Sequence, residues 1–210
     1  GTLVLYNPYG GNWTGGFRLS QGSVVISPED DSSVTPLGTG TLVFDGGTII
    51  TKPNLLYGYL DDTPLYLDQN NMVSNGTVTT VNGVELHLGT HGGTPTTFTL
   101  AVDTTINTSG QALYLDGNII ESGGARKLTL DGNGLLVLTG ANSYTGGTHV
   151  EKGTLIFADI ASLPAAPAAG ALTASATGYL GFGDDGSGNA GASLSNPQGL
   201  FLDRFNKAST

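Results

Sequence analysis

The chain has 210 residues, 38% of them apolar and only 11% charged, with 34 glycines and no cysteine. Its net charge of −10, with seven Lys and Arg in all, argues against a nucleic acid or an anionic membrane as partner, because basic side chains supply that affinity. Without cysteine there is no disulfide framework and no thiolate metal site, and no run of 18 apolar residues offers a transmembrane helix in this fragment.

Glycine stands at more than twice its ordinary share of about 7%, which together with abundant Thr and Asn indicates many tight turns. The apolar residues fall in short β-branched runs, so the low charge does not signal disorder. In chain order these runs are Thr2–Leu5, Val24–Ile26, Thr41–Phe44, Leu65–Leu67, Val84–Leu88 and Phe98–Val102. Ala112–Leu115, Lys127–Leu130, Leu135–Leu138, Thr154–Phe157 and Tyr179–Phe182 follow. Each is bounded by Gly, Asn, Asp or Pro, which predicts strands separated by turns. Residues 52–70, with Pro53, Pro64, Tyr57, Tyr59 and Tyr66, are less regular and read as a loop or lateral excursion. Residues 158–176 are rich in Ala and Pro and predict a loop with one helical turn. Gly183–Gly191 reads as flexible, and Pro197–Lys207 as a weak amphipathic helix or the start of a further coil. Both ends read as cut, so the chain is expected to be a piece of a longer polypeptide.

Spacing alone fits a sandwich as well as a solenoid. An internal repeat adds what spacing lacks. Gly1-Thr2-Leu3-Val4-Leu5 answers Gly134-Leu135-Leu136-Val137-Leu138, Thr14-Gly15-Gly16 answers Thr145-Gly146-Gly147, and Gly22–Ile26 answers Gly153–Phe157. The distance from the Gly-Gly pair to the later Gly is the same in both copies. Residues 136–155 resemble the autotransporter-associated β-strand repeat, also called the passenger-associated transport repeat, whose pattern runs roughly L-x-L-x-G-x-N-x-Y-T-G-x-T-x-V-x-x-G-T-L. Residues 2–25 fit it only in part, since Tyr6 to Trp13 departs from the G-x-N-x-Y core.

That resemblance implies an all-β chain: a right-handed, single-stranded parallel β-helix (β-solenoid) of pectin-lyase-like architecture, in the secreted passenger of a bacterial surface protein. Residues 1–183 are assigned to the helix, with repeat copies at about 1–50 and 128–157, and 184–210 to a flexible segment leading into a truncated coil or short helix. Coils of about 20–25 residues, about nine of them at a rise of about 4.8 Å, would make a rod on the order of 45 Å long. Inward positions are expected to stack as aliphatic columns, with Thr, Ser, Asn and Asp outward. In the repeat core, the Gly146-Gly147 pair and Gly153 suit corners, Asn142 tolerates the left-handed region, Tyr144 covers a coil edge, and Thr145 belongs to the same structural motif.

Sites for chemistry are sparse. Glu29-Asp30-Asp31, Asp61-Asp62 and Asp184-Asp185 lie in Gly-, Pro- or Ser-rich turns, where Asp bonds its own backbone, and none has a basic neighbour in sequence. His91 faintly resembles the G-H-G turn of polygalacturonases without their companion residues, while His87 and His149 sit on strands and are expected to face solvent. Three dispersed histidines make no metal site. Asp185-x-Ser187-x-Asn189 has calcium-loop spacing, but Ala190 and Asn196 stand where Gly and Glu are needed; only incidental Ca²⁺ binding is expected, and no cofactor. Neither G-x-S-x-G nor a phosphate-binding G-x-x-x-x-G-K-[ST] occurs.

The leading reading is a non-enzymatic spacer or adhesive segment on the bacterial outer surface or secreted from it, joined to the rest of a longer polypeptide. A second is a glycan-binding adhesin module in which Tyr9, Trp13, Tyr57 and Tyr59 stack on sugars of a host or environmental partner, which a protein partner would replace in the spacer reading. A third is a polysaccharide lyase or hydrolase with the Asp pairs brought into one groove.

Overall fold

The computed structural model describes residues 1–6, 14–27, 33–34, 36–53, 64–69, 71–89, 96–158, 160–164 and 170–183. All regular elements among them are strands. They come coil by coil: β1 (Thr2–Tyr6) and β2 (Phe17–Leu19); β3 (Ser23–Ser27), β4 (Ser33–Val34) and β5 (Leu42–Phe44); β6 (Thr48–Thr51), β7 (Leu65–Leu67) and β8 (Asn71–Ser74). Next are β9 (Thr77–Asn82), β10 (Leu86–Leu88) and β11 (Thr97–Leu100), then β12 (Thr104–Gly110), β13 (Leu113–Leu115) and β14 (Asn118–Glu121). The last three, β15 (Leu128–Leu138), β16 (Thr148–Phe157) and β17 (Leu172–Phe182), are longer because each runs along two faces without a break.

Every pairing is parallel, and each strand lies on the strand of the same face one coil away. The protein is a parallel β-solenoid with three faces. One face stacks β1-β3-β6-β9-β12-β15-β16-β17, a second stacks β4-β7-β10-β13 before joining the same long strands, and a third stacks β2-β5-β8-β11-β14. The chain returns to a given face after as few as 19 residues (Leu136 to Leu155) or as many as 33 (Ser33 to Tyr66). The longer coils use up sequence, so the first face has eight strands where a uniform coil length suggests about nine coils.

The registers build the core. On the second face Leu65, Leu86, Leu113, Leu136 and Leu155 stack in one column, and Leu67, Leu88, Leu115, Leu138 and Phe157 in the next, all buried. The third face adds Leu42, Met72, Phe98 and Ile119. Each such side chain contributes roughly 1.5–3 kcal/mol on leaving water, so the columns are the main source of cohesion. The inward surface is not wholly aliphatic, however. Thr51, Thr80, Asn82 and Thr108 are buried on the first face, where Thr80 Oγ1 donates to Thr108 Oγ1 at 2.8 Å and Asn82 Nδ2 to the same oxygen at 3.2 Å. Stacking places hydroxyls one coil apart within bonding reach, and the paired groups lose most of their desolvation cost.

Two local expectations need correction. Residues 158–176 do not form only a loop: β17 begins at Leu172, with Thr173 and Ala174 in register on His149 and Val150. Pairing along β16 overrides the weak strand propensity of Leu-Thr-Ala-Ser-Ala. Within 52–70, the expected run Leu65–Leu67 forms β7, so the excursion does not extend to residue 70 and Tyr66 lies on a rung of the second face. Residues 184–210 lie outside the described residues.

Candidate functional site

The repeat of residues 128–157 runs through one full coil and into the next, from β15 round the third face to β16 stacked on it. Asn142 sits on the third face, beyond β14, where the strand itself has ended. Its Oδ1 accepts from the backbone N–H of Ile119 at 2.9 Å, in the coil on one side. Its Nδ2 donates to the Ser162 carbonyl at 2.5 Å, and its backbone N–H to the Ala161 carbonyl at 3.1 Å, in the coil on the other. The side-chain amide thus replaces a missing peptide unit in the ladder, with donor and acceptor both used. The sequence reading gave Asn142 a backbone role; its side-chain amide adds contacts to both neighbouring coils.

Tyr144, two residues on, points inward and is fully buried in the core. Its hydroxyl lies 2.6 Å from Thr148 Oγ1, across the corner that leads into β16. Burial pushes the phenol well above its ordinary pKa, with the Thr148 bond acting the other way, so the ring is a neutral hydrogen-bonding anchor. Thr145 is exposed and binds Glu121 of the previous coil through its N–H (2.9 Å) and its hydroxyl (2.6 Å). Gly146 donates its N–H to the Arg126 carbonyl at 3.1 Å.

Glycine is required at two corners. Gly147 has φ 87°, and a Cβ there would sit 2.7 Å from the Ala171 carbonyl of the next coil. Gly153 has φ 81°, and a Cβ would press into the Gly132 carbonyl of the previous coil. The partial copy at the start of the chain has the same geometry. Gly16 (φ 81°) approaches the Thr41 carbonyl of the coil after it, and Gly22 (φ 78°) the Gly1 carbonyl of the coil before it. The sequence repeat is therefore a repeat of two close backbone approaches. Gly146, by contrast, is not among the positive-φ glycines; what it needs is room beside the Arg126 backbone.

His87 departs from expectation. It occupies an outward register position between Leu86 and Leu88, yet it is buried. Tyr66 of the preceding coil and Tyr114 of the following one are in register with it, and both rings stack on the imidazole at a centroid distance of 4.2 Å. Nδ1 lies 2.6 Å from Asp116 Oδ2 and Nε2 2.9 Å from Glu85 Oε1. Stacked neighbours one coil away on each side keep solvent from a residue that alternation alone sends outward. His149 is more open, with Nδ1 2.8 Å from Thr173 Oγ1 and Nε2 3.0 Å from Glu151 Oε2. Among the described residues no group of three or more His, Asp or Glu is arranged to hold a metal ion.

Tyr9, Trp13, Tyr57 and Tyr59 lie outside the described residues, as do Glu29-Asp30-Asp31, Asp61, Asp62, His91, Asp184, Asp185 and the rest of the calcium-like segment. Among the described residues no helix is long and apolar enough to cross a membrane.

A family model described as the passenger-associated-transport-repeat matches residues 128–157. The adhesin BmaC autotransporter of Brucella suis biovar 1 (strain 1330) is 30% identical to this chain over 146 residues, covering 64% of this chain and 4% of its own length. The chain thus spans a small part of that relative. No solved structure matches. The corner geometry and the family match coincide on one segment: residues 128–157, which match the passenger-associated transport repeat, are built into a parallel β-solenoid.

Proposed function

We propose that this chain is a non-enzymatic β-solenoid segment of an autotransporter-like passenger, displayed on or released from the bacterial outer surface, where it serves as a spacer or adhesive stalk. The observation that supports this most is how the repeat uses its polar groups. Asn142, Tyr144, Thr145 and Gly146 each bond a neighbouring coil or corner. A motif made for catalysis would leave such groups aimed at a substrate. The likeness to a named adhesin autotransporter adds weight to surface display. Right-handed winding fits the reading too, since parallel crossovers take that hand in about 98% of cases. In this view each coil that folds outside the cell is a template for the next, and Asn142 extends the template past the end of β14.

Antibody raised against the 210-residue segment tests display. It should stain intact cells producing the full-length protein, and protease added outside should remove the signal. Staining that requires permeabilised cells would overturn the reading. Turnover of a polyuronide or glycan panel by the purified segment would overturn its non-enzymatic part.

A further inference from the structure

Both ring nitrogens of His87 face carboxylates at hydrogen-bonding distance, Asp116 at 2.6 Å and Glu85 at 2.9 Å. A neutral imidazole has one N–H and one lone pair, so it satisfies only one of these acceptors and turns its lone pair toward the other. An imidazolium satisfies both. The faces of the ring point to the same state, because Tyr66 and Tyr114 enclose it at 4.2 Å on either side, with interplanar angles of 26° and 9°. A cation between two aromatic faces is stabilised by both quadrupoles. The participants come from three successive coils: Tyr66 on β7, Glu85 and His87 at β10, and Tyr114 and Asp116 at β13.

We propose that Tyr66, His87, Tyr114, Glu85 and Asp116 form a proton-operated clamp, which pins three coils together while the imidazole is charged and loosens them when it loses its proton. Among the described residues, the charged and titratable groups facing the ring are the Glu85 and Asp116 carboxylates and the two tyrosines on its faces. Burial, the largest single influence, works against the charge; the bonds and charges of Asp116 and Glu85 together outweigh it, and the pKa of His87 is raised. A histidine raised above its unfolded value contributes stability in full below about pH 6.5, and that contribution is lost as pH rises through the folded value. The clamp therefore stiffens the middle of the solenoid in mildly acidic surroundings and relaxes it in alkaline ones. It does not depend on where the protein is displayed.

The test compares urea unfolding of the full 210-residue chain and of His87→Gln between about pH 5.5 and about pH 9. The difference between the two proteins isolates His87 from His91, His149 and the carboxylates. The wild-type midpoint should fall relative to the variant as pH rises, with faster amide exchange in β7, β10 and β13. Equal pH slopes for the two proteins would overturn the clamp. If the variant does not fold, ¹⁵N shifts of the wild-type imidazole decide. Two protonated nitrogens persisting above about pH 6.5 support the proposal, and a neutral tautomer below that pH sinks it.

Discussion

At the scale of single residues, the repeat is a set of positions where one coil touches another through main-chain-like contacts. Asn142→Ala would leave the Ile119 N–H without its acceptor and the Ser162 carbonyl without its donor, both away from water. The expected loss is about 3 kcal/mol in urea unfolding, whereas a surface Asn→Ala change costs well under about 1 kcal/mol. Gly153→Ala combines a left-handed φ with a collision against the Gly132 carbonyl, and should cost at least about 2 kcal/mol. Gly22→Ala in the same 210-residue segment meets the same geometry at Gly1, but among the described residues β1 pairs only with β3 and so gives way more easily. A smaller loss for Gly22→Ala than for Gly153→Ala, by the same measurement, checks that the cost comes from rigid neighbours as well as from φ. The sequence showed where these glycines must be, because the Gly-Gly-to-Gly spacing is kept in both copies. It did not show that Asn142 works through its amide, since the partners Ile119 and Ser162 lie 23 and 20 residues away.

At the scale of elements, strands were legible wherever apolar residues alternate between turn residues: Leu65–Leu67 is the same in both readings, and the run Val84–Leu88 contains the strand Leu86–Leu88. The column each residue joins was not legible, because coil length varies and a change in coil length changes which residues meet. That is why His87 looked solvent-facing: Tyr66 and Tyr114, which enclose it, are identified only by the register. It is also why the general expectation of outward threonines misses Thr80 and Thr108, which are buried. Phe98 stands between Met72 and Ile119 in the column of the third face. Phe98→Ala should therefore cost about 3–5 kcal/mol, measured as a lower urea midpoint. The corner after β14 carries a pH signature of its own. Glu121 accepts from Thr145 and from the Arg126 N–H at 2.7 Å, and although partial burial opposes ionisation, these bonds hold its pKa below the ordinary carboxylate value. A lowered carboxylate pKa means stability present above the unfolded value of about 4.3 and lost as pH falls through the folded one. Glu121→Gln should flatten the acid limb of the stability profile by lowering stability at neutral pH, with the two proteins converging in acid, as seen in unfolding midpoints taken between about pH 3 and about pH 7.

At the scale of the whole molecule, low charge and no cysteine leave cohesion to stacked columns and the coil-to-coil ladder. In such a solenoid each coil depends on its neighbours, so stability is close to a sum of coil and interface contributions, and damage at one corner spreads along the stack. The absence of native cysteine also makes engineered pairs unambiguous reporters of register. Parallel coils put Thr129 beside His149, while Ile156 lies seven residues further along β16, past the Gly153 corner and on the next face. If residues 139–147 instead turned an antiparallel hairpin, Thr129 would lie near Ile156 and far from His149. Oxidation of the double variants Thr129→Cys/His149→Cys and Thr129→Cys/Ile156→Cys separates the two arrangements. A disulfide in the first pair and free thiols in the second is the outcome a stacked parallel coil predicts; a disulfide in the second pair alone would contradict it.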